Sequence, residues 1–283
     1  TAPGMWFNEK GVIWVSMPGV PYEMKSIMEQ EVLPRLVKHF KTPIIFHKVI
    51  KTVGIGESWL ADLIKDWENA LPEHIRLAYL PSLGHVKLRL TAFGTEKTIL
   101  EQQVAAQIES VMPLIEKYVY GYDEETLETA IGKLLKNAGK TLALAESCSG
   151  GYISHLVTSI AGSSAYFQGS VVPYQNAFKE KILGVKPETL QMFGAVSEET
   201  AREMAVGVRD LFGVDFGLSS TGIAGPDGGS EEKPVGTVWI ACAGNGFVET
   251  KKLQLTQDRM LNIQLTGVSV LNLLRICFIQ NNK

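Results

Sequence analysis

The sequence predicts an α/β fold built from three successive regions, of which the last is a three-layer-like α/β domain. Two observations support this prediction. Helix-like and strand-like segments alternate along residues 122–283, which is typical of a sheet covered by helices on both faces. Residues 42–121 are predicted to form a strand, a helix, two strands and a second helix, which is the pattern of a small α+β unit. At 283 residues the chain is long enough for about two domains.

The composition is that of an ordinary globular protein, with 45% hydrophobic and 20% charged residues. A net charge of −3 argues against a dedicated nucleic-acid binder, and no apolar run approaches a membrane span. No secretory signal is visible. Cys148, Cys242 and Cys277 are far apart and show neither disulfide nor metal-ligand spacing. We therefore expect a cytoplasmic protein without a membrane partner, a bound metal or a cofactor.

Residues 1–41 contain a predicted strand at 11–17, a proline-glycine turn and a predicted helix at 22–38. One strand and one helix cannot bury a core alone. This region is therefore expected to pack on another unit or to be the end of a larger domain. The chain begins with Thr1 rather than methionine, which suggests a processed or truncated start.

The second region is predicted to hold strands at 43–53, 75–79 and 85–91, and helices at 57–70 and 95–118. No motif within it carries chemistry. His47, His74 and His85 are scattered along it, and such histidines are more often surface or core residues than ligands.

The third region is predicted to open with a helix that ends at Gly139, and Ser197 is predicted to cap a later one. A hairpin is expected across residues 244–246. The remaining boundaries come from the spacing of apolar residues. Helices are expected at 124–137, 151–160, 177–183, 197–212 and 258–279, and strands at 141–145, 169–173, 216–220, 237–243 and 247–255.

The stretch 145–151, AESCSGG, joins a predicted strand to a predicted helix. The hydroxyl of Ser147 then lies where free backbone N–H groups can serve a reacting or anionic group, with Ser149 beside it. Gly150 and Gly151 would let a ligand approach the backbone closely. Small residues also occur at such junctions for packing alone, so this motif by itself leaves both interpretations open.

The loop 221–236 is rich in glycine and proline. Such a backbone exposes N–H groups that can cradle a phosphate or an oxyanion, and Lys233 could add a positive charge. The alternative is a mobile surface loop with solvated charges. The residues singled out at its start are Thr221, Gly222, Ile223, Ala224 and Gly225.

A third element lies at residues 172–179. Asn176 is predicted to cap the following helix, Tyr174 ends the preceding strand, and Lys179 lies in the first turn of that helix. Tyr174 and Lys179 can therefore point toward one site. Taken alone, the same residues also fit a tyrosine on a rim and a solvated lysine.

The low number of histidines limits which side chain can activate a catalytic nucleophile in the last region. His155 is the single histidine of the last region, so a Ser-His-Asp triad is hard to build. A lysine deprotonated by burial can replace it, which makes Ser147, Lys179 and Tyr174 a coherent set. Cys148 is the rival nucleophile, although a buried and inert thiol is the stronger expectation.

These motifs occur in one order and together resemble the CinA family (competence/damage-inducible protein). Residues 122–283 resemble its C-terminal nicotinamide-nucleotide amidase domain. Residues 42–121 resemble its KH-like linking domain, and residues 1–41 the end of its molybdopterin-binding-like domain. The segments that carry the resemblance are 145–151, 161–164, 174–179, 194–197, 222–226 and 233–238, with Gly4 and 17–25 in the first region.

The resemblance implies deamidation of nicotinamide mononucleotide, a pyridine nucleotide, to nicotinate mononucleotide and ammonia. It implies Ser147 as nucleophile, Lys179 as base and Tyr174 as a support for proton transfer, and it suggests a homodimer. Ser164 and Thr221 match further active-site hydroxyls of the family. The expected substrate-binding residues are Ser149, Gly150, Gly151, Ser164, Asn176, Thr221, Gly222, Ile223, Ala224, Gly225, Lys233 and Arg259.

One departure from the family pattern matters. Arg259 is present, but Ile263 stands where the family commonly carries a second arginine, and Ser149 replaces the usual threonine. The Ile263 departure keeps open a non-catalytic, nucleotide-binding protein. An ADP-ribose pyrophosphatase is the other alternative, since the family's front domain is associated with that metal-dependent activity. The residues that would support it are mostly missing from this sequence.

Overall fold

The structure, a computed structural model, describes residues 3–40 and 42–281. The start at Thr1 and the region boundaries placed at residues 1, 41 and 283 lie outside the described residues. Three sheets occur within the described part, of two, four and five strands. The mixed α/β class predicted from the sequence is confirmed.

The first region forms a hairpin followed by a helix. Strands β1 (Met5–Glu9) and β2 (Val12–Ser16) pair antiparallel. The prediction of a single strand was wrong, because Lys10 and Gly11 both take positive φ and turn the chain back through a hairpin. Helices α1 (Pro21–Ile27) and α2 (Leu33–His39) are joined by a π-helical turn over Met28–Val32. Among residues 3–40, Val32 is the one buried hydrophobic residue, so this region has no core of its own.

The second region is an antiparallel sheet backed by two helices. The elements are β3 (Ile44–Val53), α3 (Glu57–Asn69), β4 (Ile75–Ser82), β5 (His85–Gly94), α4 (Lys97–Ile115) and β6 (Val119–Tyr122). The strand order is β4-β5-β3-β6, and the core combines the inward side of β5 with the apolar faces of α3 and α4. Strand β6 was not predicted, because its four residues directly follow the long helix predicted over 95–118.

The third region is a five-stranded mixed sheet with strand order β11-β10-β9-β7-β8, in which β7 runs parallel to β8 and β9. Its elements are α5 (Leu127–Ala138), β7 (Leu142–Glu146), α6 (Tyr152–Thr158), β8 (Phe167–Val171), α7 (Asn176–Leu183), α8 (Pro187–Phe193), α9 (Glu198–Phe212), β9 (Phe216–Gly222), β10 (Thr237–Gly244), β11 (Phe247–Gln254) and α10 (Arg259–Asn281).

Helices cover both faces of this sheet, as a three-layer domain requires. One core joins β7, β9 and β10 to α5, α6 and α10, and a second joins β7 to α7 and α9 on the opposite face. The predicted caps at Gly139 and Ser197 are present, whereas α8 was not predicted. Helix α10 is long and apolar enough to cross a membrane, but 56% of its most apolar stretch is buried, which is typical of a core helix.

Candidate functional site

A cavity of about 300 Å³ lies where β7 and β9 end. Ligands of open α/β sheets commonly bind beyond the carboxyl ends of parallel strands, because loops from neighbouring strands meet there. The cavity brings together ten of the residues singled out from the sequence: Ser147, Tyr174, Asn176, Lys179, Thr221, Gly222, Ile223, Ala224, Gly225 and Arg259. Its other lining residues are Cys148, Ala195, Val196, Asp227 and Gly228.

Ser147 is the first residue after β7, and its backbone is fixed by the neighbouring strand. Its N–H donates to the carbonyl oxygen of Ser220 at 2.9 Å, which extends the pairing of β7 with β9 by one residue. Within residues 3–40 and 42–281, no group hydrogen-bonds to the Ser147 hydroxyl. The backbone is therefore held while the hydroxyl is left to a ligand.

Glu146 organises the turn that carries Ser147, and sequence reasoning missed it. Its side chain is 0% exposed. One carboxylate oxygen, Oε2, accepts from the Ser149 hydroxyl at 2.8 Å and from the N–H groups of Gly151 and Ile153 at 3.1 and 2.9 Å. The other, Oε1, accepts from the backbone and side chain of Ser154. An acidic residue at the end of a buried strand, before a serine-glycine turn, is the sequence signal that could have revealed this role.

Lys179 is 1% exposed, so the solvated-lysine alternative is excluded. It projects from α7, and its Nζ donates to the carbonyl oxygen of Pro173 at 2.9 Å. Burial lowers the pKa of the Lys179 ammonium below 10.5, and the Cys148 thiol acts weakly in the opposite direction. A lowered pKa makes the neutral amine, the form that can accept a proton, more accessible near neutral pH.

Cys148 is buried, as expected for the rival nucleophile. Burial is the largest cause that raises the pKa of its thiol to about 12. The thiolate is the nucleophilic form, and this shift suppresses it. Ser147 therefore remains the better candidate.

Tyr174 and Arg259 meet at the rim of the cavity. The Tyr174 side chain is 59% exposed, and Arg259 Nη2 donates to its phenol oxygen at 3.2 Å. Arg259 Nη1 donates to the carbonyl oxygen of Gly225 at 2.8 Å. Because the phenol oxygen accepts from Arg259, the phenol O–H stays available as a donor.

The glycine-rich loop is held from the side of α10. Asn262 Nδ2 donates to the carbonyl oxygen of Ala224 at 2.9 Å, and Asn262 does not line the cavity. Across a trans peptide the N–H points opposite to the carbonyl, so the Gly225 N–H is turned away from Asn262. Gly225 has φ +88°, and a Cβ there would lie 2.5 Å from Val235 Cγ1, so glycine is required. The Ile223 N–H is not available to a ligand in the same way, because it donates to the carbonyl oxygen of Thr237.

Five of the singled-out residues do not line the cavity. Ser149, Gly150 and Gly151 belong to the turn held by Glu146, and Ser164 is exposed in a short 3-10 turn. Lys233 does not reach the cavity, because its Nζ donates to the carbonyl oxygen of Phe193 at 2.7 Å. Their expected contact with substrate finds no support in this geometry.

The structure also defines the surroundings of three further positions, Asn176, Ile263 and Thr221. Asn176 lines the cavity but is not a cap: helix α7 begins at Asn176 itself, and the preceding Gln175 holds the extended backbone of the N-cap. The Asn176 cap prediction was wrong by one residue.

Ile263 packs against the main core rather than lining the cavity. Thr221 donates from Oγ1 to the carbonyl oxygen of Ala195 at 2.6 Å and so joins β9 to the loop after α8.

No group of three or more histidine, cysteine, aspartate or glutamate side chains within the described residues could hold a metal ion. The functional groups that line the cavity are hydroxyls, an amine, a phenol, a guanidinium, the Cys148 thiol and the Asp227 carboxylate.

Comparison with known proteins identifies two family domains. A model of the CinA C-terminal domain matches residues 124–278, and a model of the damage-inducible protein CinA KH domain matches residues 47–121. A CinA-like protein of Cytophaga hutchinsonii is 56% identical over 97% of this chain and 66% of its own length. One from Amoebophilus asiaticus is 48% identical over the same shares. The chain spans just under two thirds of the length of these curated relatives.

Solved structures of related proteins match about half of the chain. The competence/damage inducible protein CihA from Agrobacterium tumefaciens is 40% identical, with a TM-score of 0.53, and the match covers 54% of this chain and 93% of that one. The competence damage-inducible protein A (ComA) from Klebsiella pneumoniae is 33% identical, with a TM-score of 0.51, over 52% of this chain and 92% of that one.

Proposed function

The chain belongs to the CinA family, and we propose that it hydrolyses the carboxamide of nicotinamide mononucleotide to nicotinate mononucleotide and ammonia. One observation carries the proposal. The unpaired hydroxyl of Ser147 and the buried amine of Lys179 line the same cavity. A serine hydroxyl and an amine whose burial favours the neutral form make a nucleophile-base pair suited to acyl transfer.

In the first half of the reaction, Ser147 Oγ attacks the carboxamide carbon while Lys179 Nζ accepts the hydroxyl proton. The carbonyl oxygen becomes an oxyanion, for which the Gly225 N–H is a candidate donor. Collapse of this intermediate breaks the C–N bond. The leaving nitrogen takes up the proton held by Lys179, with the Tyr174 phenol as a support, and departs as ammonia.

In the second half, water attacks the acyl-serine ester. Lys179 accepts a proton from that water, the C–Oγ bond breaks, and the proton returns to Ser147. The products are nicotinate mononucleotide and the free enzyme. Overall, one amide and one water give one carboxylic acid and one ammonia, and no metal is needed in any step.

Recognition of the nucleotide needs a group for its phosphate. Arg259 lines the cavity and is the first of the two arginines common in the family, whereas Ile263 stands in place of the second. Its guanidinium is held by Gly225 and Tyr174, so it is oriented before substrate binds. The homodimer and the cytoplasmic location remain predictions from the sequence.

The test is ammonia release from nicotinamide mononucleotide by the purified protein in the presence of EDTA. We expect turnover, and we expect Ser147→Ala to abolish it while the far-UV circular dichroism stays unchanged. Ser159→Ala, at the exposed residue directly after α6, is the matched control and should retain full activity. Nucleotide binding without ammonia release would replace the amidase with a non-catalytic nucleotide-binding protein.

A further inference from the structure

A second cavity, of about 380 Å³, lies between the second and third regions and shares no lining residue with the first. Its walls come from the turn between β3 and α3, from the β4–β5 turn and from α10. Outside the cavity, Arg275 joins α10 to the second region, since it donates to the carbonyl oxygens of Val119 and Lys117 at 3.0 and 2.6 Å. The cavity is therefore framed by two firmly joined regions.

Asn272 presents an unused donor to this cavity. Its side chain is only 6% exposed. Its Oδ1 accepts from Arg275 Nε at 3.1 Å, which fixes the orientation of the amide. Within residues 3–40 and 42–281, Nδ2 has no hydrogen-bond partner, yet it is not sealed from solvent, and Asn272 lines the cavity. A largely buried amide that lines a cavity and has no partner for its N–H groups favours a ligand that supplies acceptor oxygens.

The start of α3 adds donors beside this amide. The helix is 13 residues long, and its N-cap, Gly56, makes no side-chain capping bond, so the first-turn N–H groups carry partial positive charge. Gly54 has φ +81°, and a Cβ there would lie 2.7 Å from Asn272 Nδ2. Glycine at this position is what allows the amide to lie against the turn that leads into α3.

The rest of the cavity wall combines apolar and charged side chains. Leu265 and Val268 of α10 supply apolar surface, and the exposed Lys251 of β11 and the exposed Glu57 of α3 also line the cavity. The volume is within the range of small-molecule sites, which combine apolar walls with a few convergent polar groups.

We propose that this cavity binds a small organic oxyanion, a phosphate or a carboxylate on an apolar body. Its oxygens accept hydrogen bonds from the Asn272 amide and from the first turn of α3, and Lys251 adds charge attraction. Its apolar body contacts Leu265 and Val268. Since the walls come from two regions, the occupant contacts both of them at once.

The experiment is a titration of the full ¹⁵N-labelled chain with phenyl phosphate, benzoate and inorganic phosphate, followed by amide chemical shifts. We expect saturable shifts at residues 54–59 and at the Asn272 side-chain amide. At least one aromatic probe should bind about ten-fold more tightly than inorganic phosphate, because only the aromatic probes cover the apolar wall. The comparison of phenyl phosphate with benzoate identifies the preferred anionic group.

Two variants test the assignment. Asn272→Asp keeps the acceptor toward Arg275 but replaces the donor with a carboxylate oxygen, and it should weaken binding at least about ten-fold. Lys251→Gln should weaken it several-fold, whereas Lys252→Gln, one residue along β11 and outside the cavity, should not. Absence of shifts at residues 54–59, or affinities unchanged in Asn272→Asp and Lys251→Gln, would overturn the proposal.

Discussion

The side-chain amide of Asn262 donates a 2.9 Å hydrogen bond to the carbonyl oxygen of Ala224 and ties the first turn of α10 to the glycine-rich loop of the candidate site. Asn262 is 1% exposed. Its Nδ2 also donates to the Thr256 carbonyl oxygen, and its Oδ1 accepts from the N–H and the hydroxyl of Thr256. Its hydrogen-bonding capacity is therefore fully used in holding two loops against one helix.

Replacement of the Asn262 amide should lower both the stability of the fold and the rate of the reaction. Asn262→Leu leaves the buried carbonyl oxygen of Ala224 without this donor and removes the partly buried hydrogen bonds to the exposed Thr256, and we expect the free energy of unfolding to fall by about 1–3 kcal/mol. We also expect kcat for ammonia release to fall about ten-fold or more with a smaller change in KM, because the Gly225 N–H acts in the transition state. Denaturant titration and steady-state kinetics measure the two effects.

The matched control is Asn281→Leu, at the exposed far end of the same helix, which should leave both quantities nearly unchanged. If kcat per folded molecule is the same in Asn262→Leu and in the parent protein, Asn262 only stabilises the fold, and the Gly225 N–H is not an oxyanion donor.

Lys179 should be required for turnover. Lys179→Met retains a long apolar side chain but removes the base, so ammonia release from nicotinamide mononucleotide should fall by several orders of magnitude. Lys181→Met, on the exposed side of the same helix, is the control and should retain activity. Initial rates at saturating substrate measure both, and a loss of less than ten-fold in Lys179→Met would assign the base to another group.

Lys179 should also affect how the free energy of unfolding depends on pH. The pKa of Lys179 in the folded protein lies below 10.5, so between the two values the unfolded chain binds more protons than the folded one. The free energy of unfolding contributed by this group therefore rises with pH across that window, by up to about 1.4 kcal/mol per pH unit, and levels off above 10.5. Denaturant titrations from neutral pH upward should show this rise in the parent protein and lack it in Lys179→Met. Parallel pH profiles would mean that Lys179 titrates normally.

Part of the site follows from the sequence, because strand ends and helix starts place side chains predictably. Ser147 after β7 and Lys179 in α7 converge on one cavity, as the alternation of strands and helices implies. Asn262 and Glu146 could not be found that way. Asn262 acts on a carbonyl 38 residues away, and the burial of Glu146 depends on N–H groups that converge only when the turn after β7 closes. The position of the Lys233 amine could not be predicted either, because a charge in a glycine-rich loop can pair with any nearby carbonyl, here that of Phe193.

Substitution of Arg259 should distinguish a role in binding the substrate phosphate from a role in catalysis. If its guanidinium recognises the substrate phosphate, Arg259→Met should raise KM for nicotinamide mononucleotide by about ten-fold to a hundred-fold, the loss of one charge-assisted contact. Nicotinamide riboside carries the same carboxamide without the phosphate, so its kcat/KM should change much less in this variant. Ammonia release from both substrates, in both proteins, gives the comparison. An equal loss on the two substrates would mean that Arg259 acts by holding Tyr174 and Gly225 in place rather than by contacting phosphate.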